Sequence, residues 1–192
     1  MAGCGLQRKT YEACSPPSTP MAISSTRPHA LPSLERVLEI GGGGREQALA
    51  WALGRCPEIR NVWITPGNGG GEGTAVAIAE TDSAALIAHC REQSIDLVVV
   101  GPEAPLAAGV ADALRDAGLA VFGPSAEGAK LEASKAWAKQ LMREAGVPTA
   151  GHWAVDSEAA ALAVLAEVQR PLVVKADGLA AGKGVTVAET MA

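Results

Sequence analysis

An α/β fold built on a parallel sheet is what this sequence predicts, and three observations predict it. From residue 36 onward, short β-branched runs alternate with longer Ala- and Leu-rich segments. Each strand-like run ends in a bend rich in Gly or Pro. Hydrophobic residues make up 48% of the chain but aromatic ones only 3%, so Ala, Val and Leu must fill the core, as they do where small-residue helices cover β-branched strands.

The elements follow in order. "RVLEI" (36–40) is a strand ending in four glycines, and "REQALAWALGRC" (45–56) is a helix with Ala48, Leu49, Ala52 and Leu53 on its apolar face. "NVWIT" (61–65) is the second strand, and "PGNGGGEG" the bend after it. Asp82 caps a helix running to about Gln93. "DLVVVG" (96–101) reads as the most deeply buried strand. "PLAAGVADALRDAG" (105–118) reads as one helix with Gly118 past its end, and "AVFG" (120–123) closes the series. Four strands joined by helical crossovers give a Rossmann-like sheet over residues 35–124.

A second unit begins near Pro124 and occupies residues 125–192. "SKAWAKQLMREAGVP" (134–148) is a helix with a stripe of Ala138, Leu141, Met142 and Ala145, ended by Gly146 and Pro148. "HWAV" (152–155) reads as a strand, Asp156 as the cap of a helix to about Gln169, and "PLVVKA" (171–176) as a buried strand. These few elements do not close a core by themselves. Residues 1–34 are rich in Ser, Pro and Thr without periodicity and read as a disordered extension, with Met21 as an alternative start; their scarcity of acids also has something of an organelle transit peptide.

Charge and cysteine usage exclude several classes. A net charge of −5 and the lack of a basic run argue against nucleic acid, and no apolar stretch is long enough for a membrane span. Cys4, Cys14, Cys56 and Cys90 match no zinc or redox spacing, which points to reduced thiols in a cytoplasmic protein and to no metal site.

Two stretches carry the chemistry. "GGGGRE" (41–46) follows a strand and opens a helix, where exposed backbone N–H groups bind phosphate and Arg45 adds a charge. It is not a dinucleotide fingerprint: the third glycine of G-x-G-x-x-G falls on Glu46, and Thr65 stands where the second strand would end in an acid. "TPGNGG" and "VGPEAPL" follow the next strands, so Asn68 and Glu103 stand at neighbouring strand exits, and together the three bends suggest a sugar-phosphate pocket. The second stretch is "VVKADGLAAGKGV" (173–185). It fails the P-loop pattern, since three residues rather than four separate Gly178 from Gly182 and Gly184 follows Lys183. A lysine in an apolar strand, Lys175, needs an anion or a structural acid as partner. Asp177 and Glu132 read as structural or positioning groups, and His89 and His152 as surface or packing residues.

With "IGGGGREQALAWAL", "TPGNGG", "VVGPEAPLAAGVADAL", "FGPSAEGAKLEASKAWAKQLM" and "VVKADGLAAGKGV" in this order, the chain resembles the phosphoribosylamine–glycine ligase family of the ATP-grasp superfamily over roughly residues 35–192. The resemblance implies a Rossmann-like domain followed by the start of an ATP-grasp module. It implies a reaction in which ATP, accompanied by Mg2+, phosphorylates glycine and the acyl phosphate is captured by the amine of 5-phosphoribosylamine, a step of purine biosynthesis. By the same resemblance Gly42, Gly43, Gly44, Arg45, Glu46, Asn68 and Glu103 meet the phosphoribosyl group. Lys135 and Lys175 contact ATP phosphates, and Gly178, Gly182, Lys183 and Gly184 belong to a flexible lid over them, with Lys175 and Lys183 the catalytic cations.

Family members run to about twice this length or more, with magnesium ligands, adenine pocket and C-terminal domain downstream. The chain therefore reads as an N-terminal fragment without ligase activity of its own. It departs from the family pattern at Glu39, where an apolar residue is usual, at Gln47, where His is usual, and in the longer "GGGEGTAVA" spacing. Rival readings are another ATP-grasp carboxylate–amine ligase and a non-catalytic sugar-phosphate- or nucleotide-binding module.

Overall fold

The computed structural model describes residues 33–190, and what was expected of the tail before Ser33 lies outside the described residues. Five strands form one parallel sheet: β1 (Arg36–Gly41), β2 (Asn61–Pro66), β3 (Thr74–Ala75), β4 (Leu97–Val100) and β5 (Val121–Phe122), in the order β3-β2-β1-β4-β5. Within this sheet the two-residue β3 is the strand that sequence did not anticipate, because Thr74 and Ala75 carry no hydrophobic run. β1 lies between β2 and β4, so the strand order reverses there, and such a reversal opens a crevice at the carboxyl ends of the strands.

The two faces of the sheet differ. Leu38 and Ile40 of β1 with Val98 and Val100 of β4 point to one side. There they pack on α2 (Ser83–Glu92) through Leu86 and Cys90 and on α4 (Val110–Asp116) through Val110, Ala111 and Leu114. Each fully buried Leu or Val of this cluster contributes roughly 1.5–3 kcal/mol of transfer free energy. The opposite face is smaller: Val62 and Ile64 of β2 meet Ala50 of α1 (Gly44–Leu53), flanked by Leu53 and Ile59.

α1 is rotated from its expected orientation. Its buried positions are Glu46 and Ala50, four residues apart, whereas Ala48, Leu49 and Ala52 are exposed. The helix expected over 105–118 is two helices, α3 (Glu103–Ala107) and α4, broken at Gly109, whose φ of 82° an α-helix does not accommodate.

α5 (Ala126–Ala133), not foreseen from sequence, follows β5 and adds Ala129 to the core cluster. Its Ser125 cap accepts the Gly128 N–H, and Ala126 N–H donates to Asp112 of α4, 2.7 Å away. α6 (Lys135–Glu144) follows, with Ala138 as its buried residue and Leu141 and Ala145 exposed. Residues 152–155 form no strand. α7 (Glu158–Val168) is capped by Ser157 rather than Asp156, the hydroxyl accepting from Ala160 N–H. β6 (Val173–Lys175) and β7 (Val185–Val187) form an antiparallel hairpin. Both are exposed along their whole length, so β6 is not the buried strand its composition suggested.

Candidate functional site

At the reversal point three strand exits converge. The loop after β1 places Gly42, Gly43 and Gly44 at the start of α1. Asn68, from the bend after β2, donates its amide to the Gly43 carbonyl at 3.3 Å and accepts the Gly70 N–H at 2.9 Å. Arg45 reaches the exit of β4, donating to the Gly101 carbonyl at 2.6 Å with its other guanidinium nitrogen 3.9 Å from Glu103. The residues expected from three separate motifs therefore do meet.

Glu46 organises this meeting. One carboxylate oxygen accepts Gly43 N–H at 2.9 Å and the other accepts Arg45 Nε at 2.7 Å. Only 4% of the residue is exposed. It lies over the ends of β1 and β4, where any side chain on Gly41 or Gly101 would run into it. Gly41 also has a φ of 141°, so glycine is required there on both counts. With both oxygens occupied inside the loop, Glu46 fixes the others, and the exposed surface consists of Gly43, Gly44 and Arg45. The hydrogen bond to Glu46, with the charges of Glu46, Glu103 and Glu132, raises the pKa of Arg45 further and keeps it charged.

Beneath this loop sits Glu39, fully buried between Ile64 of β2 and Val99 of β4, with neither carboxyl oxygen hydrogen-bonded. Burial, then the negative charge of Glu46, push its pKa from 4.5 to about 8, with Arg45 pulling the other way. Glu39 is therefore a neutral acid at pH 7, which is how a carboxyl survives in a position suited to an apolar residue. Gln47 packs directly under Gly70, its amide nitrogen buried without a partner.

Beside the loop a cavity of about 180 Å³ opens between α3 and α5, lined by Glu103, Leu106, Pro124, Ala129, Leu131 and Glu132. Its two carboxylates face an otherwise apolar wall. Sequence gave no hint of it, because α5 itself was missed.

The second candidate region lies at the start of α6. Ser134 caps the helix by accepting Trp137 N–H at 3.1 Å. Asp177, just past β6, accepts Lys135 N–H at 2.6 Å and Ala136 N–H at 3.3 Å on one oxygen, and the Ser134 hydroxyl at 3.1 Å on the other. Burial pushes the Asp177 carboxyl up, but the donors of Ala136, Lys135, Ser134 and Gly178 together outweigh it and hold the group below its ordinary range. The Lys135 ammonium donates to the Gly178 carbonyl at 2.8 Å. The loop turns through Gly178, Gly182 and Gly184, all at positive φ, with Ala181 at 46°. Lys175 and Lys183 are both exposed, and among the described residues neither has an ion-pair partner, so Lys175 is not the buried cation its strand suggested. The capping by Asp177 spans more than forty residues and left no local sequence signal.

The fold is thus a parallel sheet with a reversal point, followed by a helix and a hairpin that present lysines. Solved structures share it: the biotin carboxylase of Campylobacter jejuni has a TM-score of 0.63 at 20% identity, with 81% of this chain and 39% of that one covered. The phosphoribosylamine–glycine ligase of Thermotoga maritima has a TM-score of 0.62 at 28% identity, covering 81% of this chain and 36% of that one. Residues 35–132 match the family model of the phosphoribosylglycinamide synthetase N domain, and residues 133–192 that of its ATP-grasp (A) domain. The chain belongs to the phosphoribosylglycinamide synthetase family. It is 55% identical over 161 residues to the phosphoribosylamine–glycine ligase of Nostoc sp. and 48% identical over 163 residues to that of Escherichia coli K12. It spans about 38% of the length of the first and 37% of the second, against 81% of its own. Among the described residues no helix is long and apolar enough to cross a membrane.

Proposed function

We propose that this chain carries the sugar-phosphate pocket and the first nucleotide-phosphate contacts of a cytoplasmic ligase that joins glycine to 5-phosphoribosylamine at the expense of ATP. The carrying observation is the meeting of three strand exits at the β1 loop, where Glu46 and the Gly101 carbonyl hold Arg45 and Asn68 bonds the Gly43 carbonyl. The N–H groups of the first turn of α1 have no partner within the helix and suit a phosphate monoester, with the Arg45 guanidinium as the charged member. Glu103 at the rim, 41% exposed in its side chain, accepts from ribose hydroxyls or from the amine.

On the ATP side, Lys135, Lys175 and Lys183 supply the positive charge. Lys135 exchanges the Gly178 carbonyl for a phosphate oxygen, a stronger charge-assisted acceptor. The glycines at 178, 182 and 184 let the loop close over the phosphates and reopen, and Lys175 and Lys183 offset charge on the transferred phosphoryl. Magnesium accompanies the ATP in this reading, and among the described residues no group of three or more His, Cys, Asp or Glu could hold it.

The test is titration with ribose 5-phosphate followed by NMR. Amide signals of residues 42–45, 68 and 103 are expected to shift with ribose 5-phosphate and to stay put with ribose. Signals that respond to neither compound refute the pocket.

A further inference from the structure

We propose that Asp177 is a positioning residue: it fastens the loop between β6 and β7 to the first turn of α6, so that Lys135 and the loop respond to a bound phosphate chain as one unit. The proposal rests on the phosphate-handling reading above and adds to it the residue that sets the geometry.

Three contacts from α6 and its cap converge on one carboxylate. The backbone N–H groups of Lys135 and Ala136 and the hydroxyl of Ser134 all donate to Asp177. The return contact, Lys135 Nζ to the Gly178 carbonyl at 2.8 Å, closes a ring between two segments more than forty residues apart. Little else orders the loop. Its own bonds are Lys183 N–H to Ala180 O at 2.7 Å and Ala176 N–H to Gly184 O at 2.8 Å, and both flanking strands are exposed.

The charge arrangement gives each group a separate task. Asp177 already neutralises the positive end of the α6 dipole, so that helix end is not where a phosphate settles. The Lys135 ammonium, by contrast, bonds a neutral carbonyl and, among the described residues, has no ion-pair partner. An incoming polyanion can take its ammonium while leaving the Asp177 contacts intact. The carboxylate is then the pivot, and the ammonium the part that changes partners.

The test is competitive acetylation of lysines in the whole 192-residue chain, with hydrogen exchange read in parallel and no nucleotide present. In D177A, Lys135 labelling and amide exchange over residues 178–184 are expected to rise about tenfold, while Lys130, paired with Glu127, stays unchanged. Unchanged Lys135 labelling in a folded D177A chain overturns the proposal. Should D177A fail to fold, D177N carries the test: the neutral acceptor is weaker, so Lys135 labelling rises about threefold, and no rise overturns the proposal. Tripolyphosphate serves as the phosphate probe. It is expected to protect Lys135 and the loop amides together in the wild type and Lys135 alone in D177A, and joint protection in D177A also overturns the single-unit claim. Tripolyphosphate that leaves wild-type Lys135 labelling untouched refutes the phosphate reading instead, while the nucleotide-free comparison still decides the role of Asp177.

Discussion

Glu39 and Glu46 are two buried acids on the same face of the sheet, one within β1 and the other above its end, and only Glu46 has hydrogen-bond partners. The asymmetry makes Glu39 the protonated member. Its folded pKa is raised from 4.5 to about 8, so the folded chain holds a proton there that the unfolded chain releases near pH 4.5. This contribution to stability is complete below about pH 4.5 and is lost as pH rises through 8. By pH 7 about 3 kcal/mol of stability has been lost relative to low pH. E39V is expected to raise the urea midpoint at pH 7 and to flatten the fall in stability between pH 5 and 8. Parallel stability–pH curves for the two chains would rule this out.

The same pair predicts a coupling. E46Q keeps an acceptor for Gly43 N–H but removes the like charge facing Glu39 and frees Arg45 from its partner. Both changes ease the ionisation of Glu39, so the inflection in the stability–pH curve of E46Q should move below that of the wild type. In E39V/E46Q no inflection near pH 8 should remain. Denaturation series at half-unit pH steps check both, and an E46Q inflection at the wild-type position would disprove the coupling.

Arg45 is the exposed charge of the β1 loop, and its fork is aimed by Glu46 and Gly101. R45A should weaken ribose 5-phosphate by about tenfold or more, and because it leaves a buried Glu46 oxygen without its partner it should also lower stability by about 1–3 kcal/mol. R45K keeps the charge but not the two-sided fork, so its affinity should fall between the two. Calorimetric titration measures this, and equal affinity for all three chains would remove Arg45 from the pocket.

The sheet was legible because β1, β2 and β4 are β-branched runs bounded by glycine, a pattern local to each strand. The meeting of the strand exits was legible for a related reason: strand ends in a parallel sheet share one edge, so Arg45, Asn68 and Glu103 had to be neighbours once the topology was right. What escaped depends on tertiary contact. The face of α1 is set by Glu46 folding back over Gly41 and Gly101, against the helix's own Ala and Leu stripe. β3 exists only because β2 offers an edge to it. Lys175 is exposed because, among the described residues, no layer covers the hairpin, which no residue in "VVKADG" announces.

Gly109 shows the same lesson in a form that can be measured. Helical periodicity runs straight through "PLAAGVADAL", yet the chain turns there: Ala108 ends α3, and Gly109 at φ 82° caps the start of α4. The turn lets Leu106 and Val110 both enter the core. An L side chain in this left-handed conformation costs about 1–2 kcal/mol. A Cβ at position 109 would meet nothing within 4 Å, so the cost of G109A is conformational and not steric. G109A should therefore lower stability by about 1–2 kcal/mol, whereas G109N, which tolerates the left-handed region, should lose less. Equilibrium urea unfolding of the three chains checks it. A G109A chain as stable as the wild type, or more so, would mean that α3 and α4 merge into the single helix the periodicity describes.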